Sequence, residues 1–177
     1  MKKITKLLHL VGIKRIWSLF CVNKLFVGVK CFERKRKILN SIGFQIGENS
    51  KIVGPIECYG TLIVGKNCWI GKNFKVNGNG VVRIGDNCDI APEVVFQTGS
   101  HKIGNKERRS GEGVSFSQSV GNGTWIGERV TVINNVNIGN SCVIAACACV
   151  TKDVEDNLLV GGVPARIIRR LDDDTEN

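Results

Sequence analysis

Along this chain an aliphatic residue followed by glycine returns in steps of six: Ile46-Gly47, Val64-Gly65, Ile70-Gly71, Ile84-Gly85, Val120-Gly121, Ile126-Gly127 and Ile138-Gly139. The spacings are multiples of six from Ile46 to Val76 and again from Ile84 to Val150, and between the two blocks the phase slips by two. A six-residue unit has room for one short strand and one corner. Three units therefore close a triangular coil of about 18 residues, and coils stack at about 4.8 Å, the ordinary separation of paired strands. The aliphatic residue points into the prism, as does a residue four places on: Ser50, Cys68, Phe74, Cys88, Val94, Thr124, Val130, Val136, Cys142 and Ala148. Four times the glycine opens a Gly-x-Asn (Gly47, Gly65, Gly71, Gly85), and Gly or Asn at a corner accepts backbone angles that a Cβ penalises. The expected fold is an all-β parallel β-helix over residues 41–170.

Charge is distributed unevenly. Residues 1–40 carry eight Lys and three Arg against Glu33 alone, a net +10, while the rest holds 14 basic and 15 acidic side chains, a net −1. A neutral body argues against a nucleic-acid groove, which needs clustered positive charge. Within residues 1–20, Ile4, Leu7, Leu8 and Val11 fall at helical spacing, so the arm is read as helical. It serves either as a membrane-surface helix or as a lid capping the first coil, as solenoids require. The eight cysteines come with no C-x-x-C, no secretory pattern and only His9 and His101 as imidazoles. Reduced thiols in a cytoplasmic protein, with no metal site, are expected. The acidic tail at residues 171–177 is read as disordered.

The repeat is interrupted once, at Thr98–Ser119, a polar, Gly-rich stretch containing Arg108-Arg109 that regains phase at Val120. A long loop thrown out of a solenoid is a usual seat of function. His101 stands near its start.

The repeat, with Gly123-Thr124-Trp125-Ile126-Gly127, Val150-Thr151-Lys152-Asp153 and Gly162-Val163-Pro164-Ala165-Arg166-Ile167-Ile168-Arg169, resembles the hexapeptide-repeat acyltransferases over residues 46–169. The resemblance is to those that move acetyl from acetyl-CoA to sugar hydroxyls, and it implies a left-handed helix and a homotrimer. It also places the catalytic base at His101, 24 residues before Trp125. An alcohol attacks a thioester only as a base removes its proton, a task suited to imidazole, and the oxyanion that forms needs a donor already aimed at it. The family's donor, a backbone N–H just after Trp-Ile-Gly, falls on Glu128. Asn77, in Phe74-Lys75-Val76-Asn77-Gly78-Asn79, matches an acceptor-binding Asn; read alone, it serves the turn where the phase slips. The acceptor-holding Asp of maltose and galactoside acetyltransferases has no equivalent here.

For acetyl-CoA the resemblance carries over Trp125, Glu128, Ala146, Thr151, Lys152, Arg166 and Arg169, the last two and Lys152 suiting the anionic nucleotide end. Trp125 either flanks the pantetheine arm or packs between subunits. Asn135 replaces the usual corner Gly, and Cys147 and Cys149 replace small residues beside the CoA groove, both outside the prism. The expected activity is O-acetylation of a free or lipid-linked saccharide in capsule, lipopolysaccharide or exopolysaccharide synthesis, in the cytoplasm or at the inner face of its membrane. Alternatives are N-acetylation of a nucleotide-linked amino sugar, and a non-catalytic β-helix scaffold.

Overall fold

A computed structural model describes residues 12–171. The stripe Ile4, Leu7, Leu8 and Val11 and the acidic tail lie outside the described residues. The body is a parallel β-helix with three faces. The first stacks Gln45–Ile46, Thr61–Val64, Val81–Ile84, Ser117–Val120 and Asn137–Ile138; the third stacks Ile56–Cys58, Phe74–Asn77, Val95–Gln97, Thr131–Ile133 and Cys149–Val150. The second runs from Lys51–Ile52 through Trp69–Ile70, Asp89–Ile90, Trp125–Ile126 and Val143–Ile144 to Leu158–Gly161, where Arg166–Arg170 folds back antiparallel.

Every residue assigned above to the second inward position is buried, as are the aliphatic anchors. The two-residue slip is an enlarged corner at residues 77–80: Gln45 pairs with Ile63, 18 residues on, but Thr61 pairs with Val81, 20 on. The glycines that follow the anchors differ from expectation. They do not take left-handed angles; they lie where coils touch, and a Cβ on Gly71 or Gly127 would sit 2.6 Å from the backbone of the next coil. The left-handed residue is the one two places later: Asn49, Asn67, Asn73 and Asn87, then Glu93, Arg129, Ser141 and Cys147. Likewise Asn134, not Asn135, carries positive φ; the Asn135 Oδ1 instead accepts the Ser117 N–H at 2.9 Å.

The corner between the first and second faces is held by a ladder of small polar side chains. The Ser50 hydroxyl donates to Gly65 O, the Cys68 thiol to Gly85 O, the Cys88 thiol to Gly121 O, the Thr124 hydroxyl to Gly139 O and the Cys142 thiol to Glu155 O. Three of these side chains also accept the N–H of the ladder residue above: Cys68 on Ser50, Cys88 on Cys68, Cys142 on Thr124. Small side chains at this inward position therefore do more than fit a narrow prism: they bond peptide groups that the bent backbone turns away from its neighbours. Outside the same corner Asp86, Asn122, Asn140 and Asp156 each offer Oδ1 to a backbone N–H of the coil before. The Asn140 side chain and N–H hold the Asp156 carboxyl below the usual range.

The first coil is closed by helical turns at residues 12–20, Cys21–Leu25 and Phe32–Asn40. Asn23 bonds both the N–H and the C=O of Ile56, like an added strand. Lys35 is fully buried, its ammonium over the Phe32 ring and donating to Gly28 O and Val53 O. Burial lowers its pKa.

The ladder predicts a reversal of the usual conservative ranking at Thr124. Thr124→Val keeps shape but strands Gly139 O and the Cys142 N–H, and should cost about 1–3 kcal/mol by urea denaturation. Thr124→Cys, the residue that other coils use, should cost clearly less. Equal losses would remove the ladder as a source of stability.

Candidate functional site

The interruption at Thr98–Ser119 is an antiparallel hairpin, Gly99–Ile103 against Ser110–Ser115. The chain is back on the first face at Ser117, which pairs with Val81, three residues earlier than the phase alone indicates. Ser117, Gln118 and Ser119 are polar and conceal the strand from a hydrophobic pattern.

Thr98 fixes the root of this hairpin. It is fully buried, its N–H and hydroxyl both donate to Asn77 O, and its carbonyl accepts the Phe116 N–H. The Gly80 N–H donates to the Thr98 hydroxyl at 3.2 Å. The enlarged corner at residues 77–80 and the hairpin are therefore one construction: Asn77, which ends its strand opposite Gln97, supplies the carbonyl that anchors Thr98, and Gly80 bonds the Thr98 hydroxyl. Gln118 completes it. Its side chain fills an inward position where neighbouring coils put Leu62 and Val82, and its Nε2 donates to Gln97 O, Val132 O and Asn134 O at 3.2, 3.2 and 2.8 Å. The buried Oε1 of Gln118 has no protein partner. Its signal in the sequence is position: it stands two residues before the anchor Val120, as Leu62 stands before Val64.

His101 is exposed and pairs through its backbone with Gly113. It faces a cleft of about 690 Å³ whose walls include Asn79, Gln97, Ser100, Val114 and Ser115. These neutral amides and hydroxyls were not singled out by sequence. Asn77 is one residue away from the cleft wall at Gly78, and its carbonyl, rather than its amide, has a defined partner. Apart from His101 and Val114, the side chains that line the cleft are neutral amides and hydroxyls.

The other candidates fall into two sets. Thr151, Lys152 and Arg166 line one cavity of about 340 Å³ with Asp153, Glu155 and Ile167. Thr151 and Lys152 follow the third face, so they lie on the edge that carries the hairpin, one coil beyond Asn134, whose Nδ2 reaches Thr151 O at 3.5 Å. Glu128 and Ala146 stack on a different edge, between the second and third faces, where the Cys147 N–H donates to Glu128 O at 2.8 Å. Trp125 stands on the second face with 56% of its surface exposed. Arg129 pairs with Glu93 at 2.9 Å on the same edge as Glu128, and holds that carboxyl below its usual range. Arg169 lies on the returning strand opposite Leu159. Thr151 and Lys152 thus lie on one edge of the prism and Glu128 and Ala146 on another, while Arg166, opposite Gly161, shares the second face with Trp125.

No family model matches the chain. The galactoside O-acetyltransferase of Escherichia coli K12 is 35% identical over 143 residues, covering 80% of this chain and 70% of that one. A solved galactoside acetyltransferase in complex with coenzyme A superposes with a TM-score of 0.79 at 31% identity, covering 92% of this chain and 83% of its own. A hexapeptide-repeat acetyltransferase of Vibrio cholerae, complexed with acetyl coenzyme A, gives the same TM-score at 29% identity over 93% and 89%.

Thiol accessibility offers a direct check on the corner carrying Glu128. Cys31 and Cys147 are exposed, whereas Cys58, Cys68, Cys88 and Cys142 are buried. Burial pushes the Cys58 thiol up to about 11 and raises that of Cys142; a hydrogen bond donated to Cys68, together with burial, raises that of Cys88, and the same bond lowers Cys68 to about 7, so Cys68 is shielded by burial alone. Maleimide should label Cys31 and Cys147 in the native protein and the four buried thiols only after unfolding, as read by peptide mapping. Early labelling of Cys142 would contradict the inward assignment.

Proposed function

This chain belongs to the hexapeptide-repeat, left-handed β-helix acyltransferases, and we propose that it transfers acetyl from acetyl-CoA to a saccharide hydroxyl, with His101 as general base. The observation that carries the reading is His101 on a rigidly rooted hairpin, beside a cleft walled by neutral amide and hydroxyl groups. The imidazole takes the proton of the acceptor hydroxyl as its oxygen bonds to the thioester carbonyl. The tetrahedral oxyanion accepts from the Glu128 N–H; on collapse the C–S bond breaks and the proton passes from His101 to the departing sulfur. Asn77, or its neighbours Asn79 and Gln97, hold the acceptor.

Acetyl-CoA is assigned to Trp125, Glu128, Ala146, Thr151, Lys152, Arg166 and Arg169. Because Glu128 and Ala146 sit on one edge of the prism and Thr151 and Lys152 on another, the assignment uses a second copy, in a homotrimer, to bring one pair against the other. A glycan acceptor built in the cytoplasm, free or lipid-linked, is part of the same proposal, as is synthesis of capsule, lipopolysaccharide or exopolysaccharide units. Residues 1–40 form its arm and 41–170 its catalytic body.

His101→Ala should lower kcat by about 10² to 10⁴-fold, with acetyl-CoA affinity by calorimetry nearly unchanged. Near-normal turnover would remove His101 from the chemistry. Sedimentation equilibrium should give a trimer. Within that trimer CoA should slow maleimide modification of Cys147 but not of Cys31, and equal rates would move the cofactor off that edge.

A further inference from the structure

The helix at residues 12–20 is inverted in polarity. Its inner side presents Arg15, Ser18, Leu19 and, one turn on, Val22, at the i, i+3, i+4, i+7 spacing of one helical face. Half of that side is polar and is used as such. The Arg15 guanidinium lies over the Phe44 ring and donates to Cys58 O at 3.0 Å, with Ser18 and Val22 buried beside it. Its outer side is Ile13, Ile16, Trp17 and Phe20, at the same spacing and apolar throughout. These four are 51%, 72%, 62% and 45% exposed, with Trp17 and Phe20 stacked at 5.5 Å. Leu25, Val27 and Val29 extend the exposed apolar surface. An ordinary surface helix shows water its polar side; this one shows an apolar side, although its contacts to the first coil are well made.

The charges around this surface select its occupant. Lys24, Lys30 and Arg34 are exposed alongside it, and the single acid of residues 1–40, Glu33, is occupied by Arg36 and Lys37. Such a surface repels a second copy of itself, because the arms share a net charge of +10. It matches an anionic bilayer: aromatic and aliphatic side chains enter the headgroup boundary while lysines meet lipid phosphates. No helix among the described residues is long and apolar enough to cross a membrane.

We propose that the outer side of residues 12–29 is a docking surface for an anionic lipid bilayer, on which the enzyme rests by Ile13, Ile16, Trp17 and Phe20. The inference rests on the proposed acetyl transfer only for its purpose, since a bilayer is where a lipid-linked glycan is met.

The test is flotation of the full-length protein with phosphatidylcholine vesicles, with and without about one third phosphatidylglycerol. Binding to the anionic vesicles alone, weakened by salt, is expected. The exposed double variant Ile16→Ser/Trp17→Ser and the charge reversal Lys24→Glu/Lys30→Glu should each lower it about tenfold or more. Acetylation of a soluble sugar and the sedimentation coefficient should stay as in the parent. No flotation, or undiminished flotation of both variants, overturns the proposal. So does a change in oligomeric state of the Ile16→Ser/Trp17→Ser protein, which would assign the stripe to a neighbouring subunit. Loss of acetyl transfer in the parent protein would strike the proposed function and leave the flotation result intact.

Discussion

A stack of triangular coils is only as sound as its corners. Along each face, strand pairing joins one coil to the next, but at every bend the peptide groups turn out of that plane and need other partners. Here one corner is bonded from within by Ser50, Cys68, Cys88, Thr124 and Cys142, and from outside by Asp86, Asn122, Asn140 and Asp156. Each side chain bridges two coils, so fixing one coil fixes the next. An unmade bond in such a buried position costs about 1–3 kcal/mol, a large fraction of the net stability of a domain. The glycines beside the ladder belong to the same constraint. A Cβ on any of them would push the coils apart and break the bonds that the ladder makes.

The prism was legible because its rule is short and repeated. The anchors from Val120 to Val150 fix strands, faces and inward positions without help from distant residues. What the pattern concealed was the reason for each residue type. Glycine and asparagine look interchangeable at a corner, yet the first answers to the next coil and the second to its own backbone angle. That difference is between a contact 18 residues away and a local torsion, and periodicity reports neither. Asn134 and Asn135 show it again: two identical neighbours, one in the left-handed region and one capping Ser117.

The candidate site was legible where it departs from the rule and obscure where it supports the departure. His101 announces itself by standing in the single interruption. Gln118 does not, because a glutamine among serines reads as surface, and only the register against Leu62 and Val82 places it in the core. Asn77 matches a functional pattern, yet its carbonyl anchors Thr98 whatever its amide does. Lys35 is a further case: three cations within Arg34-Lys35-Arg36 look alike, and a helical turn buries the middle one.

The hairpin touches the prism at few points. Thr98 enters, Phe116 leaves, one carbonyl-to-amide bond closes the gap between them, and the strands on either side pair as though the intervening 17 residues did not exist. Its length and tip sequence are thus nearly invisible to the coils. Mutations at the tip can reshape the cleft beside His101 with little penalty in folding, while the root stays fixed to the prism through Asn77, Gly80 and Thr98. A solenoid of this design separates the inheritance of specificity from the inheritance of stability, and relatives should diverge fastest in what they acylate and slowest in how they stand up.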